Sequence, residues 1–215
     1  DNGTKGITNN ILTLYARWSA NSYTISYNAN GGSGTMASDT VSTGGKVTIK
    51  SNTFTKAGYT FAGWTTKSNG TDDGYGWTGW SGTWNFDNGT KGITNNILTL
   101  YARWKINSYT LSIDPNGGWR TGDNNKSVIT ISKDYNSEET ISERLRTGYT
   151  LIGYTMKNSN NGSTTELGGA KFSFDATSRS GKFTQGTVPI TLVAQWKANT
   201  YTVSYNNNGG SGCSS

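Results

Sequence analysis

The side chains best suited to contact a ligand lie in one glycine-rich stretch, residues 74–84, with the sequence GYGWTGWSGTW. Flat indole rings between glycines can stack on the face of a sugar or meet a partner protein. One interpretation is therefore a ligand-binding surface formed by Tyr75, Trp77 and Trp80. The interpretation that the sequence favours is that Trp77 and Trp80 cover the open sheet face of their own unit.

The sequence lacks the residue combinations that commonly support catalysis. The chain has no histidine, which removes Ser-His-Asp and Cys-His catalysis and the commonest zinc ligand. Its one cysteine, Cys213, stands in the tail GGSGCSS with no base beside it. The pair Asp72-Asp73 offers too few organised oxygens for a calcium ion, which takes about six to eight. We predict no enzymatic activity, no metal and no cofactor.

The charge of the chain is positive but dispersed. It amounts to +6, from 19 basic and 13 acidic residues. No basic run or stripe occurs, so binding to nucleic acid is not expected. No apolar stretch is long enough to span a bilayer, and we predict no transmembrane segment within this chain.

An internal repeat organises the sequence, because residues 1–18 and 87–104 both have the sequence DNGTKGITNNILTLYARW. A unit of about eighty residues can bury a modest core of its own. We predict two whole units, 23–104 and 109–196, between two fragments. Residues 1–18 are expected to be the final strand of a preceding repeat, and 201–215 the first strand and turn of a following one. The four-residue joints and the fragments predict a window on a longer array with its units in file.

Each unit begins with a period-two alternation typical of a half-buried strand, seen at Tyr23–Asn28, Tyr109–Asp114 and Tyr201–Asn206. Asn-Gly-Gly follows each time, and these residues tolerate the positive φ of a tight turn. In the first unit a second strand is expected at about residues 40–50, with a break at Gly44-Gly45. The two strands predict an antiparallel hairpin.

Residues 137–148 predict a short helix in the second unit. Ser137 can cap it, Ile141 and Leu145 lie four apart on one face, and Gly148 can end it. The matching residues 52–57 of the first unit are too few and too rich in threonine for more than one helical turn.

The third and final strands supply most of the predicted core. The third strand, GYTFAGW at 58–64, matches GYTLIGY at 148–154, and the final strands alternate apolar residues up to a terminal tryptophan. The predicted core residues are Tyr59, Phe61, Trp64, Trp84, Leu100, Trp104 and Trp196.

The order of these motifs resembles the Listeria–Bacteroides repeat, also called the internalin B-repeat. The motifs are Tyr-Thr-hydrophobic, Asn-Gly-Gly, Gly-Tyr-Thr-Phe-Ala-Gly-Trp and Leu-Tyr-Ala-Arg-Trp. The resemblance implies a small β-grasp-like domain, similar to ubiquitin or SUMO, in tandem arrays of secreted or wall-anchored bacterial proteins, often adhesins. The second unit departs from the pattern at Tyr154, Gln195 and Asp114-Pro115.

Together these observations predict a mostly β or α+β chain of tandem repeats, each a small mixed sheet with at most one short helix, in an elongated array. The expected function is that of a structural spacer or stalk, outside the cell at a bacterial surface, with neighbouring repeats as partners. The alternative is a binding module that contacts a glycan or a host surface protein through the exposed aromatics of the first unit.

Overall fold

All the regular secondary structure in the described part of the chain is β-strand. The computed structural model describes residues 7–8, 11–122, 124–206 and 208–210, and no helix occurs within them. The mostly β fold class is therefore confirmed. The chain divides into two compact units, the first made of Asp1–Lys56 and Phe61–Lys105, the second of Ala57–Thr60 and Ile106–Ser215. Cys213 lies outside the described residues.

The first unit is built on a four-stranded mixed sheet. The strands in this part of the chain are β1 (Ile7–Thr8), β2 (Ile11–Leu12), β3 (Ser22–Asn28), β4 (Asp39–Ser42), β5 (Lys46–Thr48), β6 (Tyr59–Thr65), β7 (Ser81–Thr83) and β8 (Ile97–Ile106). The sheet order is β4-β3-β8-β6, with β3 antiparallel to β4 and parallel to β8. The predicted hairpin is confirmed. Its expected break at Gly44-Gly45 separates β4 from β5, which pairs with β7 in a ribbon.

Alternation along the two central strands builds the core of the first unit. Tyr23 and Ile25 of β3 are buried, and so are Leu98, Leu100 and Ala102 of β8. Side chains two residues apart point to the same face of a sheet, so the parallel pairing of β3 with β8 brings both sets together. Burying these apolar side chains is the main favourable contribution to folding of the unit.

The second unit repeats this sheet and has a three-stranded and a two-stranded sheet in addition. Its strands are β9 (Ser108–Asp114), β10 (Trp119–Arg120), β11 (Ile129–Asp134), β12 (Glu138–Ile141), β13 (Arg144–Leu145), β14 (Tyr149–Asn158), β15 (Lys171–Asp175), β16 (Ser180–Thr184) and β17 (Ile190–Ala198). The sheet orders are β11-β9-β17-β14, β12-β16-β15 and β10-β13. Leu111 and Leu192 from the first of these sheets pack with Ile141 and Phe183 from the second.

In both units the first and last strands lie side by side and run parallel. This adjacency is the one expected of a β-grasp, in which a helix normally accompanies the sheet. The β-grasp assignment stays a prediction, and the described residues carry no such helix.

The helix predicted over residues 137–148 is wrong. The structure has β12, antiparallel to β16, followed by β13, antiparallel to β10. Ile141 is buried as its apolar character requires, but it reaches the core from a strand. Its neighbour Thr140 is also β-branched, and such residues fit a pleated, half-buried surface. A single apolar pair four residues apart does not outweigh the ladder of hydrogen bonds that β16 offers.

The Asn-Gly-Gly turn ties the first strand of each unit to the last. Asn30 and Asn116 adopt φ angles of 47° and 46°. The Asn30 Nδ2 donates to the Ala102 carbonyl at 3.0 Å, and the Asn116 Nδ2 donates to the Ala194 carbonyl at 2.9 Å. The asparagine therefore provides both the left-handed backbone and a hydrogen bond to the central strand.

Trp104 and Trp196 lie over the same turns. Their Nε1 atoms donate to the carbonyls of Ala29 (2.9 Å) and Pro115 (3.1 Å). The sequence predicts both tryptophans to be buried, but the structure leaves them half-buried, because each ring rests on the turn at one end of the unit. Tyr59, also predicted in the core, is half-buried as well.

Within the described residues, the two terminal fragments do not form the strands predicted for them. β1 and β2 pair as a short hairpin, while residues 13–21 and 201–206 form no strand. Leu14, Trp18 and Tyr201 are exposed. Within the described chain neither fragment has a neighbour like the one that β3 has in β8, and a strand without neighbours is not stable in water.

Candidate functional site

The aromatic stretch at 74–84 folds onto the core of the first unit. Trp77 and Trp84 are only 1% and 0% exposed. Their rings stack with centroids 6.5 Å apart at an interplanar angle of 27°, and the edge of Trp80 meets the Trp84 ring at 6.3 Å. Phe86 closes the cluster, with its centroid 5.2 Å from that of Trp84. Such edge-to-face and offset pairs add to the free energy gained by burial.

Backbone hydrogen bonds hold this stretch against the neighbouring ribbon. The Trp84 amide donates to the Gly45 carbonyl at 2.7 Å, and the Ile49 amide donates to the Trp80 carbonyl at 2.9 Å. On the other side, the Trp64 amide donates to Thr78 Oγ1 at 2.8 Å. The glycines between the aromatics therefore belong to a folded loop in which the Trp77 and Trp84 rings point inward.

Trp77 is buried, so of the two interpretations the one in which it covers its own unit describes the structure. Trp80 is half-buried within the same cluster. The Nε1 atoms of Trp77 and Trp84 have no hydrogen-bond partner among the described residues. Ligand binding by Trp77 and Trp80 stays a prediction that their packing does not favour.

Tyr75 is the one of the three candidates that reaches the surface. It is 40% exposed, and its ring contacts Trp77 edge-on at 6.4 Å. The Lys91 Nζ lies 4.7 Å from the ring centroid, in cation–π contact. One face of Tyr75 is thus already used by the protein.

Asp72 and Asp73 stabilise the loop that precedes Tyr75. Asp72 pairs with Arg103 at 2.7 Å, and its pKa is lowered chiefly by the hydrogen bond that its side chain accepts from the Gly74 amide. Burial opposes ionisation of Asp73, but hydrogen bonds from the amides of Thr66 and Tyr75 outweigh it and hold the pKa of that carboxyl below its usual value. These carboxylates act as loop caps. No group of three or more potential metal ligands occurs among the described residues.

Sequence analysis missed a second candidate surface, in the second unit. Arg144, within the segment 137–148 for which the sequence predicts a helix, is 3% exposed and lines a cleft together with Arg146 and Arg179. A comparison of the two units at this position contained the signal, since the first unit has Phe54 there.

A family model described as the Listeria-Bacteroides repeat domain matches residues 23–103. This range covers the first unit, from the beginning of its first strand almost to the end of its last. No solved structure is significantly similar to the chain. Across the described ranges, no helix has the length and apolarity that a membrane crossing requires.

Two proteins of Evansella cellulosilytica are similar to almost the whole chain. One, named "Putative membrane protein", is 31% identical over 203 residues, which is 93% of this chain and 25% of the relative. The other, named "Putative Gly-rich membrane protein", is 31% identical over 210 residues, which is 94% of this chain and 20% of the relative. The chain therefore spans a quarter or less of each of these longer proteins.

Proposed function

Because residues 23–103 belong to the Listeria–Bacteroides repeat family, we propose that this chain is a spacer segment in a bacterial envelope protein. Its part is to hold other regions of a longer protein away from the cell. The units act as stiff links, and their neighbours in the chain are further repeats.

The observation that carries this proposal is the length of the joint between the units. β8 ends at Ile106 and β9 begins at Ser108, so Asn107 alone separates the two sheets' strands. The sequence predicts a joint of four residues, and the strands take up all but one of them. A joint this short has little flexibility, which suits a segment that acts as a spacer.

Two further observations support a passive role at the envelope. Both relatives carry the words "membrane protein" in their names, and this chain resembles only part of each. We place the segment on the outer side of the cell. Since the chain has no histidine and its acidic loop pair is engaged in capping, enzymatic activity is not part of the proposal.

Small-angle scattering of the 215-residue chain tests the spacer role. A single compact globule of this length has a radius of gyration of about 17 Å. We expect a clearly larger value, because units in file give an elongated particle. A variant with four glycines inserted after Asn107 is the matched control, and its flexible joint is expected to reduce the largest dimension. A radius close to that of one globule, unchanged by the insertion, would contradict the spacer.

A further inference from the structure

The strands β7 and β16 occupy the same place in the two units. β7 pairs antiparallel with β5, and β16 pairs antiparallel with β12. The hydrogen bonds at the ends of the two pairs match, since the Trp84 amide donates to the Gly45 carbonyl at 2.7 Å. In the second unit the Gln185 amide donates to the Ser137 carbonyl at 2.9 Å. Trp84 therefore corresponds to Gln185, and β7 corresponds to β16.

The two strands differ in what lies on their other side. β16 is the middle strand of the sheet β12-β16-β15, whereas β7 pairs with β5 alone in the part of the chain that the structure describes. In the second unit β15 fills the third place, with its Ser173 opposite Lys182 of β16. The first unit therefore has an open strand edge at the place where the second unit has a strand.

The open edge presents the backbone groups of Ser81 and Thr83. Successive residues of an antiparallel strand direct their N–H and C=O groups to opposite sides. The Trp80 carbonyl and the Trp84 amide bond towards β5, so the groups of Ser81 and Thr83 point away from it. Both residues are exposed, and no strand pairing or turn hydrogen bond reaches these groups from another described residue. Unpaired backbone groups in a row are a template on which another strand can pair.

The residues of β7 do not protect this edge. Native strand edges are commonly blunted by a charge, a proline or a bulge, and the sequence Ser-Gly-Thr at 81–83 pairs regularly with β5 and contains none of these. Gly82 stands where the second unit has Phe183, and a glycine inside a strand often marks the close approach of another backbone. A Cβ built on Gly82 would meet Trp80 Cζ2 at 3.2 Å, so the Trp80 ring lies beside the middle of the strand. Since Trp80 is half-buried, its ring leaves apolar surface there.

We propose that the open edge of β7 binds an extended segment of a partner polypeptide in which aromatic and polar residues alternate. β15 shows the chemistry that fits this place, since Phe172 and Phe174 are half-buried and the other residues of the strand are exposed. A partner residue in the place of Phe172 would lie opposite Gly82, against the Trp80 ring. In such strand addition the main-chain hydrogen bonds give affinity and the alternate side chains give specificity. The proposal goes beyond the spacer role, because it gives the first unit a partner of its own.

Titration of the full chain with a synthetic peptide tests the proposal. The peptide has the sequence of residues 169–177, GAKFSFDAT. We expect saturable shifts of the Ser81 and Thr83 amide signals in nuclear magnetic resonance spectra. N-methylation of the peptide at Ser173, whose amide faces the edge, should weaken binding at least about tenfold, because it removes one hydrogen bond and places a methyl group between the strands. N-methylation at Phe172, whose amide faces away, is the matched control and should leave binding unchanged.

Two substitutions in the chain locate the bound peptide. Thr83→Pro removes the outward amide and leaves the bonds between β7 and β5 in place, since proline is tolerated on an edge strand where its nitrogen faces solvent. This variant should bind at least about tenfold more weakly while its amide spectrum stays dispersed. Thr83→Val keeps the amide and the β-branched side chain, and it should bind like the parent chain.

Several results would overturn the inference. The first is the absence of any shift up to about 5 mM peptide, where even a millimolar complex is mostly formed. Equal binding of the two N-methylated peptides excludes strand pairing, and equal binding of a peptide with the same residues in scrambled order excludes a role for the alternation. Unchanged binding in Thr83→Pro places the peptide elsewhere. Concentration-dependent shifts of the same amides without peptide would give the edge to a second copy of the chain. The peptide titration and the scattering measurement are separate, so the edge and the spacer can fail separately.

Discussion

Two tyrosine hydroxyls illustrate how differently the units treat a buried polar group. Tyr27 Oη donates to Asp39 Oδ2 at 2.9 Å and accepts from the Lys50 amide at 3.0 Å. Tyr154 Oη has no partner among the described residues. It occupies the position of Trp64, whose Nε1 donates to the Lys50 carbonyl at 3.1 Å. The substitution of Tyr for Trp in the second unit therefore leaves a buried hydroxyl unsatisfied, which costs free energy.

The raised pKa values of these two hydroxyls predict that the protein loses stability at high pH. Burial is the largest cause that raises the pKa of Tyr27 and of Tyr154 to about 12, and the charge of Arg144 opposes it at Tyr154. In the unfolded chain a tyrosine ionises near pH 10. Their contribution to the free energy of unfolding is therefore complete below about pH 10 and is lost as the pH rises towards 12.

Denaturant unfolding between pH 9 and about 12 measures this effect. Tyr154→Phe should flatten the decline and, at neutral pH, should be neutral or stabilising by up to about 1 kcal/mol. Tyr27→Phe should also flatten the decline but should cost about 1 kcal/mol at neutral pH, because it removes two satisfied hydrogen bonds. A steeper decline in either variant would count against the assignment of these hydroxyls.

At the scale of elements, both units share a close contact between the Asn-Gly-Gly turn and the tryptophan of the last strand. A Cβ on Gly32 would lie 2.8 Å from both the Thr55 carbonyl oxygen and Trp104 Cζ2, and one on Gly118 would lie 2.4 Å from Trp196 Cζ2. The tryptophan can reach its turn only because the glycine has no side chain.

Gly32→Ala and Gly118→Ala should therefore destabilise their own units. Because the nearest atoms include backbone, the clash cannot be relieved by a rotamer change, and we expect a loss of about 1–3 kcal/mol for each. Denaturant unfolding measures the loss. Ser33→Ala, at the exposed neighbouring position, is the control and should stay within about 0.5 kcal/mol of the parent chain. An equal effect of all three substitutions would show that the ring and the turn are not in close contact.

How far the sequence predicts these elements depends on how local their determinants are. The alternation at Tyr23–Asn28 and the Asn-Gly-Gly signal act over a few residues, so the first strand and its turn are correctly predicted. Residues 137–148 carry an equally local helix pattern, but their strand forms by pairing with Ser180–Thr184, about forty positions later. The direction of Trp77 is likewise decided by tertiary packing, because glycines on both sides permit it to point inward or outward. Arg144 was recoverable only by aligning two units whose spacing differs.

At the scale of the whole molecule, each unit buries its own apolar cluster. One contains Ile25, Trp84 and Leu100, and the other contains Leu111, Phe183 and Leu192. A chain with two such cores is expected to unfold in two steps, since two-state behaviour applies to single domains. The proposed spacer role depends on this property, because unfolding of one unit should leave the neighbouring unit folded.

Truncation of one core tryptophan tests this independence. Trp84 is 0% exposed at the centre of the aromatic cluster. Trp84→Ala should therefore cost about 3–5 kcal/mol, which is a large part of the free energy of unfolding of a unit of this size. Trp104→Ala should cost less, because the Trp104 ring is half-buried over the turn. Hydrogen exchange followed by mass spectrometry resolves the two units by their peptides. In Trp84→Ala the amides of 23–104 should lose protection while those of 109–196 retain it. Phe183→Ala is the matched variant and should give the reverse pattern, since Phe183 is also 0% exposed in its own core. Loss of protection in both units from either single truncation would mean that the repeats fold as one body, and the chain could not then act as a series of separate links.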